Sequence, residues 1–244
     1  MSVRALVLIG VLGLTSLARA QDSSAVGSRW RIGVSGSHDV AYRTLVVKSS
    51  DAWIDDHVAL RDDSDGPKNT FTLGLDVRFG VGRHWVLASG VQFMDRGYKS
   101  VYSGFISADP IEIDPAIPKT LVSKWHFQYF SLPVSVHYTF GHGKVHFEPG
   151  AGIMLDLLHS TYSNNELEFA DGRIATYVHY PSYHRYRRVA LSACAELNAH
   201  LALAKRWELR VAPRMRYQLI PSSGTDVADR LWEAGLVLGC FYSL

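Results

Sequence analysis

Residues 71–93, FTLGLDVRFGVGRHWVLASGVQF, decide the fold of this chain. On the first arm Phe71, Leu73, Leu75, Val77 and Phe79 recur at every second position, with Thr72, Gly74, Asp76 and Arg78 between them. Successive side chains of a strand point to opposite faces, so this arm reads as a strand with one apolar and one polar face. A one-residue slip would exchange the two sets, so the register is strongly specified. Residues 80–84 then turn the chain sharply, and residues 85–96 return as a second arm.

The same rhythm recurs along the chain. A fourth strand sets Phe130, Leu132, Val134, Val136, Tyr138 and Phe140 against Ser131, Pro133, Ser135, His137 and Thr139. The fifth sets Val145, Phe147, Ala151, Ile153, Leu155 and Leu157 against His146, Glu148, Gly150, Gly152 and Asp156. The seventh sets Trp207, Leu209, Val211, Met215 and Tyr217 against Glu208, Arg210, Arg214, Arg216 and Gln218. Residues 30–42, 85–96, 187–202 and 231–244 follow more loosely as strands one, three, six and eight. Tight turns at 80–84, 141–144 and 204–206 alternate with long connections at 43–69, 97–123, 159–186 and 220–229. An even strand count with short turns at one end and long loops at the other describes an all-β fold. The expectation is an eight-stranded antiparallel up-and-down transmembrane β-barrel, with short periplasmic turns and long extracellular loops.

The beginning of the chain gives the same address, the bacterial outer membrane. Arg4 supplies a basic start, residues 5–14 an apolar run, and Ala18, Arg19 and Ala20 a small-x-small cleavage pattern. Residues 1–20 are thus expected to be a secretory signal peptide, leaving residues 21–244 as one barrel domain. Without Arg4 and Arg19, the 25 Lys and Arg fall to 23 and balance the 23 Asp and Glu. A neutral mature chain argues against a nucleic-acid partner. No later segment has the ~18 uninterrupted apolar residues of a membrane helix, so a membrane protein of this sequence must cross with strands.

Alternation alone leaves two orientations. A lipocalin-like barrel would turn the apolar face inward around a ligand. Against it, the polar face mixes small residues with charges of both signs, as a narrow lumen requires. Asp76, Glu148, Asp156, Glu196 and Glu208 can meet Arg78, Arg188, Arg210, Arg214 and Arg216 there. The apolar face carries Phe79, Trp85, Phe140, Phe147 and Trp207 beside the short turns, where an interfacial girdle of aromatics belongs. Leu75 and Val136 are placed outward near mid-strand. Pro133, Pro149 and Pro213 fall inside strands, where each removes a ladder donor, so bulges or breaks in pairing are expected. Cys194 falls on the polar face and Cys240 on the apolar face of another strand, which excludes a disulfide between them.

Residues 73–93 and 129–157 (YFSLPVSVHYTFGHGKVHFEPGAGIMLDL) resemble the hairpins of small outer-membrane β-barrel proteins, the PorT-like and OmpX-like eight-stranded barrels. The shared features are a Leu-Pro near a strand start, a Tyr-x-Phe exit, a tight turn and a Gly-x-Gly in the return strand. The likeness extends over essentially the whole mature chain. It implies an integral outer-membrane barrel, porin-like in build, and leaves activity open. At the end of the chain Leu236, Leu238, Cys240, Tyr242 and Leu244 share one apolar face, which resembles the C-terminal signal read by the barrel-assembly machinery. Leu244 stands where that signal usually has Phe.

Catalysis is not expected. His159 and Ser160 are neighbours with Glu166 nearby, the one set suggesting a lipid-modifying hydrolase, yet adjacent strand residues face opposite sides and no nucleophile elbow accompanies them. Of the eleven histidines, His179 and His184 lie in a Tyr- and Arg-rich loop that has no nearby Cys and no acidic cluster, and His137 and His146 flank a tight turn on the polar face. No metal or cofactor is expected. Eight strands enclose a lumen that side chains can fill, and three arginines on one strand need acidic partners. The expected role is therefore structural, surface-binding or in an envelope or secretion assembly, with a small pore or ligand-transport barrel as the alternative. The expected partners are outer-membrane lipid, the barrel-assembly machinery, and an envelope protein or surface ligand reached through the long loops.

Overall fold

A computed structural model describes residues 29–48, 52–103, 118–141, 144–181 and 186–244. Residues 1–20, together with His184, lie outside the described residues. Eleven strands and one helix follow in the order β1 (Trp30–Val47), α1 (Ala52–Ser64), β2 (Asp65–Gly66), β3 (Lys68–Val81), β4 (Trp85–Arg96), β5 (Lys99–Ser103), β6 (Pro118–Tyr138), β7 (Val145–Phe169), β8 (Ile174–His179), β9 (Val189–Ala202), β10 (Trp207–Gln218) and β11 (Val227–Ser243). Eight of them, β1, β3, β4, β6, β7, β9, β10 and β11, close into an antiparallel ring through the β6–β7 and β1–β11 pairings.

One circuit of that ring can be followed residue by residue. Trp30 pairs with Phe79, Phe79 with Leu87, Leu87 with Val136, Val136 with Ala151, Ala151 with Ala195, Ala195 with Met215, Met215 with Ala234, and Ala234 with Val40. The path returns to β1 ten residues above its start, from position 30 to position 40. A stagger of that size over eight strands tilts them by about 40° from the barrel axis.

The period-two pattern sorts as the sequence implies. Leu73, Leu75, Val134, Val136, Ile153, Met215 and Leu238 are exposed on the outer wall, whereas Asp76, Arg78, Ser131, Ser135, Glu148, Asp156, Arg214 and Arg216 are buried inside. Apolar outside and polar inside excludes the lipocalin-like orientation. Aromatic pairs ring the short-turn end: Trp30 with Phe79 at 4.7 Å, Trp85 with Tyr138 at 5.1 Å, Phe140 with Phe147 at 5.7 Å and Trp207 with Tyr242 at 5.1 Å between centroids. A second belt runs through Phe71, Phe93 and Phe130 and through Tyr42 and Trp232. Tyr242 is ten residue steps along β11 from Trp232, about 33 Å of strand, or about 25 Å along the membrane normal at this tilt.

The prolines interrupt pairing without shifting register. The β4–β6 ladder skips the two positions around Pro133, the β9–β10 ladder those around Ala212 and Pro213, and the β6–β7 ladder ends at His137 and Gly150, beside Pro149. On its other side each proline stays paired, with Met154, Leu236 and Leu197 respectively. Each strand thus directs its missing N–H at one neighbour only, and no bulge is needed. The small residues allow strands and rings to approach. A Cβ on Gly152 would overlap the backbone of Val134 and Ser135, and one on Gly150 the His137 imidazole. Gly152→Val is accordingly expected to destabilise the barrel by about 1–3 kcal/mol, checked by urea unfolding in vesicles.

The long connections carry structure of their own. β6 and β7, with 21 and 25 residues, far exceed the ~9–11 needed to cross the bilayer. Above the ring they form a blade in the order β2-β5-β6-β7-β8, in which β5 takes over from β4 and β8 from β9. A bulge marks the change. The β6–β7 register shifts between Gln128 and Tyr129, where β7 leaves β9 at the Leu157–Val189 pair. The extra residue reverses the faces of β7, so that Asp156 is buried below it and Thr161, Ser163 and Asn165 above it. Through Trp125, Phe127 and Tyr129 the fourth sequence strand, β6, extends beyond the membrane. Phe127 and Tyr129 point inward there, joining Met94, Tyr98, Met154 and Leu231 in an apolar cluster across the upper lumen.

Candidate functional site: a filled, ion-paired lumen

From the short-turn end upward the lumen is built in storeys. Lowest are Arg31 from β1, Arg78 from β3, Glu148 from β7 and Glu208 from β10. Arg31 donates to Glu208 at 3.0 Å and to Glu148 at 3.3 Å, and Arg78 contacts Glu148 closely. The Phe241 ring, fully buried on β11, lies between Arg78 and Arg210, with guanidinium carbons 5.7 and 5.2 Å from its centroid. Above it Arg210 bridges Asp76 at 3.2 Å and Glu196 at 3.8 Å, while Arg214 donates to Ser37 Oγ at 2.7 Å and faces Asp39 at 3.8 Å. Higher still, Arg216 contacts Glu233, and Arg96 joins Asp156 at 2.9 Å and Glu233 at 3.6 Å. Asp156 also accepts from Ser131 Oγ at 2.6 Å and from Ser192.

Buried charges carry a desolvation penalty that only close, well-directed partners offset. Arg216–Glu233 and Arg210–Glu196 join neighbouring strands, whereas Arg31–Glu148, Arg78–Glu148, Arg210–Asp76 and Arg96–Glu233 cross the lumen and tie distant strands together. The middle storeys hold a cavity of about 30 Å³ lined by Asp76, Gln92, Glu196, Arg210 and Arg214 among others, room for about one water.

A second polar cluster closes the extracellular mouth above the apolar plug. Arg43 reaches Asp65 at 2.7 Å and Asp62 at 3.2 Å, and Arg61, on the last turn of α1, reaches Asp229 and the Tyr98 hydroxyl, each at 2.9 Å. Burial works against the charge of Arg61, but Tyr98, Asp229 and Asp65 outweigh it and hold its pKa above the ordinary value. The order of charge along α1, Asp55 in the first turn and Arg61 in the last, suits the helix dipole.

Of the ten residues that the sequence assigns to the lumen, the fold brings nine together: Asp76, Arg78, Glu148, Asp156, Glu196, Glu208, Arg210, Arg214 and Arg216. Arg188 is a correction. It has the inward parity of β9 but lies exposed just before that strand begins, at the level where β7 leaves β9. The sequence reading missed Arg31, Asp39, Arg96 and Glu233, all legible by carrying the alternation through strands one, three and eight. Also missed were the closures by Arg43, Arg61 and Asp229, for which no local signal exists. The five residues of the terminal pattern, Leu236, Leu238, Cys240, Tyr242 and Leu244, all lie on the outer face of the β11 end. Cys194 and Cys240 are both free thiols.

The hydrolase candidates do not assemble. His159 sits at the bulge with its ring 5.4 Å from that of Phe130, and Glu166 lies seven residues further along β7, about 23 Å away. His179 is exposed on β8. His137 is buried, with Ser135 Oγ at 2.8 Å and Glu196 at 3.5 Å.

Among the described residues no helix is long and apolar enough to cross a membrane, and the crossing is made by the eight ring strands. None of the curated proteins compared with the chain matches it. Similar solved structures include Neisserial surface protein A, at 13% identity and a TM-score of 0.44, covering 90% of this chain and 100% of that one. The outer membrane protein OprG of Pseudomonas aeruginosa follows at 10% identity and 0.39, covering 89% and 98%. Ail, the attachment invasion locus protein of Yersinia pestis, has 10% identity and 0.33, covering 86% and 99%. The family model for the outer membrane protein beta-barrel domain matches residues 19–219, and the chain therefore belongs to that family of bacterial outer-membrane proteins.

Proposed function

We propose that this protein is a non-conducting outer-membrane barrel whose working surface is the extracellular blade and the helix that caps the lumen. The observation that carries this reading is the filled lumen. Three successive barriers stand in it: the ion-paired storeys, the apolar plug of Met94, Phe127, Tyr129 and Leu231, and the Arg43–Asp65 and Arg61–Asp229 closure. A solute would have to break all three. The strand length beyond the membrane supports the second half of the reading, since a barrel needing only an anchor would not extend β6 and β7 or add β8. Exposed Ile174, Tyr177, Val178 and Tyr180 make the β8 edge apolar and aromatic, a surface suited to an envelope protein or a surface ligand. No catalytic role is part of the proposal.

Single-channel recording in planar bilayers tests it, with no steady conductance expected. Stable open channels in the wild-type protein would favour the small-pore alternative. A photo-crosslinker placed at Tyr177 in native envelopes is expected to trap a partner. An unmodified band at that position, in barrels shown to be folded, would remove the binding role.

Export and assembly belong to the same reading. Mature protein is expected to begin at Gln21, which N-terminal sequencing of outer-membrane material would check. Tyr242→Ala is expected to lower the amount of folded barrel several-fold without lowering export. Its ring packs on Trp207, and its hydroxyl accepts from Arg206 at 2.8 Å. Heat-modifiable gel mobility measures the folded fraction, and an unchanged fraction would show the terminal pattern to be incidental to assembly.

A further inference from the structure

Three metal-ligating side chains converge at the periplasmic end of the lumen. His146 follows the β6–β7 turn, His200 precedes the β9–β10 turn and Glu208 follows it. One ligand atom from each lies within 4.8 Å of the others. The two imidazoles stack with centroids 4.8 Å apart and planes 2° from parallel. Glu148 stands beside both, 3.4 Å from Nε2 of His146 and 3.3 Å from Nε2 of His200, while Glu208 touches Nδ1 of His200.

His200 is the telling residue. It is fully buried, and carboxylates approach both of its ring nitrogens without the angle of a well-directed hydrogen bond. A neutral imidazole has one N–H and one lone pair, so with a carboxylate at each side the lone pair faces negative charge. A doubly protonated ring would donate to both oxygens at poor angles. A cation beside the ring removes the conflict.

We infer that His146, His200 and Glu208 form a binding site for a divalent transition-metal ion, with Glu148 orienting the two imidazoles. Two imidazoles and one carboxylate, with a position left for water, are a donor set that suits zinc. A carboxylate behind ligating histidines fixes their tautomer and raises their basicity. Ligands of a tetrahedral zinc ion at about 2.0–2.2 Å lie about 3.3–3.5 Å from one another, so Glu208 must draw back from Nδ1 of His200 while the wider spacings close around the ion. The side chains of His146 and Glu208 are 18% and 13% exposed at the lumen mouth, which gives them room to move and gives the ion an entry from the periplasm. Arg31, 14% exposed, occupies the same carboxylates and is the competing cation.

The test uses the whole barrel folded in detergent, with heat-modifiable mobility confirming the fold of each variant. Zinc is titrated against a chromophoric chelator, and cobalt serves as a spectroscopic probe whose visible bands report tetrahedral nitrogen and oxygen ligation. One zinc per barrel is expected. His146→Gln and Glu208→Gln should each weaken binding at least ~10-fold, and Arg31→Gln should strengthen it. Absence of stoichiometric binding, equal affinity in wild type and both ligand variants, or loss of binding in His179→Gln instead, would each overturn the site. The outcome is independent of whether the lumen conducts.

Discussion

Leu75→Arg is expected to destabilise the folded barrel by about 2–4 kcal/mol. Leu75 is 64% exposed on β3, four residues from Phe79 in one aromatic belt and four from Phe71 in the other, which puts it at the bilayer midplane. A guanidinium there must shed its hydration or distort the lipid. Val136→Arg, which the sequence pattern also places near mid-strand, should be much milder. It is two residues from Tyr138 in the periplasmic belt, and its arginine can reach the interface. Urea unfolding in lipid vesicles, followed by tryptophan fluorescence, measures both. Equal losses at the two positions would contradict the placement of the belts. Cysteine at Leu75 should also react with a lipid-confined reagent where cysteine at Asp76 does not.

Glu148→Ala is expected to have the largest effect among lumen changes, about 3–5 kcal/mol, because it strands a buried guanidinium. Arg78 has no exposed surface, and Glu148 is the carboxylate it contacts. The same carboxyl group accepts from Thr139 at 3.0 Å and from Arg31. Combining Glu148→Leu with Arg78→Met should recover a substantial part of the loss, since it removes the penalty of the unpaired charge along with the pair. Asp171→Ala, which breaks the exposed contact with Arg173 at the β7–β8 hairpin tip, should leave stability unchanged within error. A single Glu148→Ala variant as stable as wild type would show that the lumen charges are solvated.

The difference between Leu75 and Val136 shows how far alternation carries. Parity assigned both residues outward, and both are. Depth in the membrane is another quantity, set by where the belts fall on neighbouring strands. The same distinction separates Arg188 from Arg210. Both have inward parity, but only Arg210 is buried.

Period-two alternation, three tight turns and four long connections by themselves determined eight ring strands and their antiparallel order, and the charges of the polar face with the aromatics beside the turns determined which face meets lipid. Those are local properties, since the side-chain direction at one position follows from its neighbours along the strand and a tight turn dictates what pairs next. The tertiary structure alone decided which inward residues share a level. The ten-residue stagger around the ring sets that, and it accumulates over pairings between strands far apart in sequence. It brings Arg31 to Glu208, across 177 positions, and stacks His146 on His200. It also decided the bulge at Gln128 and Tyr129, which turns β6 and β7 from barrel wall into extracellular blade. No residue type there announces an unpaired position, because a bulge is a mismatch between two strands and belongs to neither sequence alone.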